Sequence, residues 1–441
     1  MDQKLIDCRN LSSISQKLEN KNMSSNTPSI EVHEFETIDR CRICQNQKVD
    51  LILDLGDQPP ANCLYKQNEN PPSRVPLRIG RCASCSTVQL LETVNPEQLF
   101  SKYVWLTQTA KTAVNYAEVF ADRLEKITTG KSCSILEVGS NDGTFLKVLQ
   151  RRGHKVLGVD PAVNIGEVAR ESGVPTVSDF FSVNLARDLV KNHQKFDVVI
   201  ARNVLPHVSD LHSVIAGIKE SLAVDGIAIF EFHRADMILD ELHYDSIYHE
   251  HLYLHSLKSI ENIANRYGLL AFDVDESPIS GGSFVAYFSL SVLAESPSLK
   301  AAREHESSLQ IGTLDAWQRF AENATEHILK FRNMVVDAIS ENKRIIGFGA
   351  SARSSTLLNA AQLCGDHILA IADNNAWKQG LMTPGSAIKI VSVEEALSLR
   401  PDVVVLLAWN FKSELLAQLK NAGFSGEVII PLPGSPHIER I

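Results

Sequence analysis

The sequence predicts an α/β protein in three parts: a small metal-bound module, then two units of parallel sheet covered by helices. Three observations predict it. Two Cys-x-x-Cys pairs, Cys41/Cys44 and Cys82/Cys85, stand 37 residues apart near the N-terminus. Beyond about residue 130, short continuously apolar runs alternate with helical stretches, the pattern of a parallel sheet covered on both faces. After a long helical stretch, from about Pro297 to Ile339, the alternation begins again behind a second glycine turn.

Residues 1–35 are rich in Ser, Asn, Lys and Gln and lack the apolar core of a signal peptide, so a poorly ordered extension is expected there. Residues 36–95 form the metal module. Each Cys-x-x-Cys places two thiolates at the tip of a tight knuckle, and two knuckles supply the four sulfurs of a tetrahedral zinc site. Four thiolates leave no open position for water, which makes the zinc structural rather than catalytic. Disulfide pairing is the competing reading. The other cysteines, Cys8, Cys63, Cys133 and Cys364, are scattered, as in a reducing, cytoplasmic compartment. Pro- and Gly-bearing stretches at 56–62 and 68–72 break the module into short strands and turns. A helix is expected over about Val114 to Lys126.

The first sheet is expected to use strands at 134–138, 155–160, 196–201 and 226–231, closed by 284–288. The second is expected to use 344–347, 368–373, 402–407 and 427–430. No apolar run approaches the ~20 residues of a membrane helix. A formal net charge of −10 with no basic stripe argues against a nucleic-acid binder.

The first glycine turn, Glu137-Val138-Gly139-Ser140-Asn141-Asp142-Gly143, lies between a strand and a helix, and Asp160 ends the next strand. In an open α/β sheet the ligand crevice lies beyond the strand carboxyl ends, where such an acid can accept hydrogen bonds from both hydroxyls of a ribose. The spacing is not that of G-x-G-x-x-G. It resembles motif I of class I S-adenosylmethionine methyltransferases, E-x-G-x-G-x-G, with Asn141 in place of the middle glycine. The second turn, Gly347-Phe348-Gly349-Ala350-Ser351-Ala352, fits G-x-G-x-x-A with Asp373 ending the next strand. Taken alone it supports a rival reading, an NAD(P)-dependent oxidoreductase.

Between the turns, Tyr248-His249-Glu250-His251-Leu252-Tyr253-Leu254-His255 is dense in proton-moving groups. His251 can act as a base at neutral pH, Glu250 can orient or balance an imidazole, and Tyr248 can donate to a developing oxyanion. Asn203 and His207 follow another strand end on the same rim. A metal site and a satisfied polar patch compete with this reading; the spacing is not the i, i+4 pair of a zincin helix.

Taken in order, these features resemble the sugar C-methyltransferases, which methylate C3 of nucleotide-linked 4-keto-6-deoxy sugars. The series is Cys41/Cys44/Cys82/Cys85, the 137–143 turn, Asn203-x-x-x-His207, Tyr248-His-Glu-His251, Gly281-Gly-Ser283, Gly347-Phe-Gly-Ala350, Thr356-Leu-Leu-Asn359, Lys378-Gln-Gly380, Pro384-Gly385 and Leu407-Ala-Trp-Asn-Phe411. The resemblance covers about residues 38 to 440. It implies a zinc-binding domain at 36–95, a central class I (Rossmann-like) methyltransferase domain at 96–290 and a C-terminal Rossmann-like α/β substrate-binding domain at 291–441. It implies S-adenosyl-L-methionine and structural Zn2+ as cofactors, a nucleotide-sugar as the small-molecule substrate, and a place in deoxysugar or natural-product biosynthesis. His251 would be the general base, with Tyr248, Glu250 and His207 around the reacting sugar. Glu137, Gly139, Asn141, Gly143, Asp160 and Asn203 would hold the methyl donor. Tyr103, Ser283, Gly347, Gly349, Arg353 and Asn359 would face the nucleotide-sugar.

The chain departs from that family at three places. Ser280 stands where His usually precedes Gly-Gly-Ser, Arg353 stands where Lys is usual, and Phe232-His233-Arg234 replaces a Val-Pro-Tyr-like stretch. A methyltransferase of the same build acting on another carbonyl substrate is therefore the nearest alternative. A non-enzymatic zinc scaffold is a third, against which the intact histidine cluster counts.

Overall fold

The computed structural model describes residues 34–100 and 105–441. Nearly all of the expected N-terminal extension and Tyr103 lie outside the described residues.

The central sheet has seven strands, in the order Leu270–Ser277, Ser283–Ser289, Leu222–His233, Phe196–Arg202, Ser134–Val138, Lys155–Val159, Thr176–Val177. The last five run parallel, and the first two form an antiparallel closing pair. Successive side chains of a strand point to opposite faces, so the apolar runs divide between two cores. Ile135, Val198, Ile200 and Ile229 pack with Phe120 and Phe145 on one face. Leu136, Val138, Val199, Ala201 and Phe230 join the main core on the other. The helix expected from Val114 runs over Lys111–Ile127 and covers the first face.

The long helical stretch is two helices, Pro297–Ser308 and Leu314–Ser340. They part where Thr313 caps the second, its side chain accepting the Ala316 N–H. The C-terminal sheet orders Ile390–Val391, Ile371–Ala372, Ile345–Phe348, Val403–Leu406, Glu427–Ile430 and His437–Arg440. It is parallel except for the last strand. The strand expected at 368–373 shortens to Ile371–Ala372, because Asp373 turns away to accept the N–H groups of Ala350 and Asn375.

The zinc module is a small antiparallel sheet of Val88–Leu90, Val75–Cys82 and Val49–Gln58, and its outer strand is borrowed. Tyr253–Leu254, just after the histidine cluster, pairs with Val88–Leu90. A second arm, Tyr65–Lys66, pairs with Leu381–Met382 of the C-terminal unit. The module therefore braces both larger units. Among the described residues no helix is long and apolar enough to cross a membrane.

Candidate active site

The four knuckle sulfurs of Cys41, Cys44, Cys82 and Cys85 lie within 4.8 Å of one another. Cys41 and Cys85 are 3.6 Å apart, and Cys44 and Cys82 are 3.4 Å apart. A zinc–sulfur bond of about 2.3 Å puts the corners of a tetrahedron about 3.8 Å apart, so the donor set fits zinc. The knuckle also reaches the central unit, where the Ile43 carbonyl meets His212 Nε2 at 2.9 Å.

A cavity of about 670 Å³ lies where the three units meet. Its floor is the rim of strand carboxyl ends. Gly139, Asn141, Asp160 and Asn203 line one end together with Phe180 and Phe181. Gly139 has a φ of +67°, and a side chain there would meet Val204 at 2.9 Å. Asp160 accepts the N–H groups of Asn141 at 2.8 Å and Ala162 at 3.0 Å, and burial pushes its carboxyl pKa up. Asn141 fastens a covering segment: its Oδ1 accepts from the Thr107 N–H at 2.9 Å and its Nδ2 donates to the Trp105 carbonyl. A turn that bares its backbone beside a buried acid at a strand end fits a nucleoside-bearing methyl donor.

At the middle of the cavity, the Nδ1–H of His251 donates to the Ser246 carbonyl at 2.8 Å. That leaves the lone pair on Nε2, which the Tyr248 hydroxyl meets at 2.6 Å. The His207 ring lies 4.9 Å away, its Nδ1 held by the Glu250 carbonyl at 2.7 Å. Burial holds His251 well below the usual imidazole range, with His207 adding to the effect, and pushes His207 down to about 4. Both rings are thus neutral at physiological pH and able to accept a proton. Glu250 sits behind them, wholly buried, its Oε1 held by the N–H of Asn62 at 3.2 Å and by Asn62 Nδ2 at 3.1 Å.

Arg353 and Lys378 line the cavity on the C-terminal side, with Ser351 and Asn410. Arg353 donates to the Ser280 carbonyl at 3.0 Å and to Ser246 Oγ, and its guanidinium stands 4.9 Å from the Trp409 ring. Lys378 donates to the Ala350 carbonyl at 2.8 Å.

Three family models match successive parts of the chain. Residues 41–100 match "Putative zinc binding domain", 111–271 match "Methyltransferase domain", and 278–433 match "C-methyltransferase C-terminal domain". The chain is a C-methyltransferase of this three-domain family. Among curated relatives, "C-methyltransferase NovU" of Streptomyces niveus is 29% identical over 402 residues, covering 90% of this chain and 96% of the relative. A ubiquinone biosynthesis O-methyltransferase of Actinobacillus pleuropneumoniae is 31% identical over 102 residues, 22% of this chain and 44% of the relative. Among solved structures, the PH0226 protein of Pyrococcus horikoshii covers 44% of this chain and 97% of its own, at 17% identity and a TM-score of 0.35. The C-methyltransferase takes its methyl group from S-adenosylmethionine. The rival expectation of a nicotinamide oxidoreductase falls with that assignment.

The structure gathers some of the expected site residues and sets others apart. Gly139, Asn141, Asp160, Asn203, His207, Tyr248, His251 and Arg353 line the cavity. Glu137 lies beneath it, fully buried, paired with Arg202 Nη2 at 2.6 Å. Gly143 packs against Val174, and Ser283 donates to the Ile279 carbonyl. Gly347 and Gly349 form the start of the second turn and pack inward, where a side chain on Gly349 would overlap Ala408. Asn359 clasps the Pro384 carbonyl at 3.1 Å. These six serve the shape of the site rather than its wall. Sequence reasoning missed Asn62, which lies in a stretch read only as a turn, and His233 and Lys378, which were noted without a role.

Proposed function

We propose that the chain removes a proton from the carbon beside the ketone of a nucleotide-linked 4-keto-6-deoxy sugar and methylates that carbon, C3. One observation carries this reading: a single cavity joins the glycine turn, an imidazole–phenol–imidazole group and a cationic end. The cations Arg353 and Lys378 suit a diphosphate. The NovU likeness and the resemblance to the sugar C-methyltransferases favour a nucleotide-sugar.

His251 Nε2 takes the proton from carbon, and the electron pair moves into the ketone to give an enolate. Proton removal is rapid only where the enolate oxygen is stabilised, a role open to Tyr248 O–H once the substrate displaces it from Nε2. His207, neutral and adjacent, keeps the cation that forms on His251 from meeting a second positive charge. The Glu250 carboxyl faces the loop from behind. When bound, S-adenosylmethionine supplies an electrophilic methyl group to the enolate carbon.

Solvent deuterium exchange tests this reading. With S-adenosylhomocysteine bound, methyl transfer is blocked and the base still acts. Wild type should wash deuterium into C3, and His251→Ala should not, with methyl transfer falling by ~10²–10⁴ or more. Exchange by the variant at the wild-type rate assigns the base elsewhere, to His207 first. A wild type that neither exchanges nor methylates any keto-sugar rejects the substrate class.

A further inference from the structure

The strand Leu222–His233 ends at the cavity, and its last residue, His233, lines the wall beside Ser280 and Arg353. Behind it runs a chain of hydrogen bonds leading to the surface. His233 Nε2 lies 3.3 Å from His243 Nδ1, the two rings stacked with centroids 5.5 Å apart. His243 Nε2 lies 3.1 Å from Glu241 Oε2, and Glu241 is half-exposed while His243 is fully buried.

The chain has a direction. A carboxylate oxygen accepts, so His243 Nε2 carries the hydrogen and Nδ1 of a neutral His243 carries the lone pair. That lone pair requires a donor, and among the described residues the one opposite it is His233 Nε2–H. His233 Nδ1 is then bare of hydrogen. Double protonation of either ring would break this logic, and the surroundings oppose it. Burial, first, and then Arg353 hold His233 well below the usual range. Burial and Arg353 also lower His243, against the opposing pull of Glu241 and Asp245.

The His233 side chain makes no other hydrogen bond among the described residues, so its Nδ1 acceptor has no partner there. That nitrogen is not among the buried polar atoms without a partner, so it opens onto the cavity that His233 lines. On a cavity wall, the group that meets it is a ligand donor. Arg353 and His251 line the same cavity and lie close enough to act electrostatically on His233, so the donor belongs to the part of the substrate near the reacting carbon. We propose that His233 is a substrate-binding residue that accepts a hydrogen bond from a ring hydroxyl of the substrate, with His243 and Glu241 fixing its tautomer. The inference rests on the keto-sugar reading above. In a 4-keto-6-deoxy sugar, only C2 and C3 can carry such a hydroxyl. The preferred substrate therefore keeps at least one of them.

Two measurements test this on the full-length zinc-loaded protein. The first needs no substrate: ¹⁵N-histidine NMR should show His233 protonated at Nε2 alone, and Glu241→Gln, whose amide can donate as well as accept, should mix the tautomers. A hydrogen on His233 Nδ1 in wild type overturns the inference. The second uses nucleotide-linked 4-keto-6-deoxy sugars with and without the C2 or C3 hydroxyl. Wild type should prefer a hydroxylated member by about tenfold or more in kcat/KM. His233→Phe should treat the pair alike, His233→Asn should restore part of the preference through its amide oxygen, and both should bind S-adenosylhomocysteine normally. Equal use of the pair by wild type, or a preference that survives in His233→Phe, overturns it. If wild type methylates no keto-sugar, the reaction assigned above is what fails, and the tautomer alone decides whether His233 presents an acceptor.

Discussion

Replacing Asn62 by alanine tests how the zinc module governs the loop that carries Glu250 and His251. Glu250 Oε1 accepts from both the backbone and the side chain of Asn62, while buried Oε2 has no hydrogen-bond partner among the described residues. Alanine removes the side-chain donor and keeps the backbone one. A hydrogen bond to a charged group contributes about 1.5–3 kcal/mol. The Glu250 pKa, already raised by burial, should therefore rise further. The lost bond stabilises only the ionised carboxylate. The penalty is full where both proteins hold Glu250 ionised and disappears where both hold it protonated. The gap in Tm between wild type and Asn62→Ala should therefore widen as pH rises from about 5 to about 9. Methyl transfer at neutral pH should fall about tenfold, the equivalent of about 1.4 kcal/mol, and recover in part at alkaline pH. Calorimetric affinity for S-adenosylhomocysteine should not change, since Glu250 lies away from the glycine turn. Thermal melts and initial rates over that pH range decide the matter. A gap that stays constant with pH, or widens in acid, refutes an ionised Glu250 held by Asn62.

The other expectations are briefer. Cys44→Ser should lower zinc content and Tm together, because the binding energy of a structural site is folding energy; one retained zinc per chain at unchanged Tm would remove Cys44 from the site. Asp160→Ala should weaken S-adenosylhomocysteine binding by roughly ten- to hundredfold, about 1.5–3 kcal/mol, and lower Tm as well, since two backbone N–H groups lose their acceptor. Unaltered calorimetric affinity would contradict that role. Burial pushes Glu306, which accepts the Leu257 and Lys258 N–H groups, up to about 7 from 4.5. A raised carboxyl pKa favours the fold below the unfolded value and loses that contribution as pH rises through the folded one, so wild type should lose up to about 3 kcal/mol relative to Glu306→Gln between about pH 4.5 and pH 7. Parallel stability curves for the two proteins would reject this.

The parallel strands were legible because a strand buried on both faces must be apolar along its whole length. Leu270–Ser277 was not, since it is an edge strand carrying Asp273 and Asp275, both paired with Arg123. The glycine turns located the cavity without separating its wall from its foundations. Glu137 reads as a ligand-facing acid, yet Arg202 claims it from below. Gly349 reads as part of a dinucleotide turn, yet close packing against Ala408 is enough to require glycine. Asn62 was illegible for a different reason: its partner Glu250 is 188 positions away. No local pattern marks a contact of that range.

The strand borrowed by the zinc module bears on how the protein is made. As the chain leaves the ribosome, both cysteine knuckles emerge early, and metal can be captured long before residue 253 exists. Until then Val88–Leu90 is an open edge, able to pair with a neighbouring nascent chain. Tyr65–Lys66 waits longer still, for Leu381–Met382. Closures over such distances are slow, and the last of them brings Lys378 to the cavity. Synthesis must therefore pass Leu381–Met382 before the reaction chamber is whole, and a shorter chain that binds zinc well would still have nowhere to carry out its chemistry.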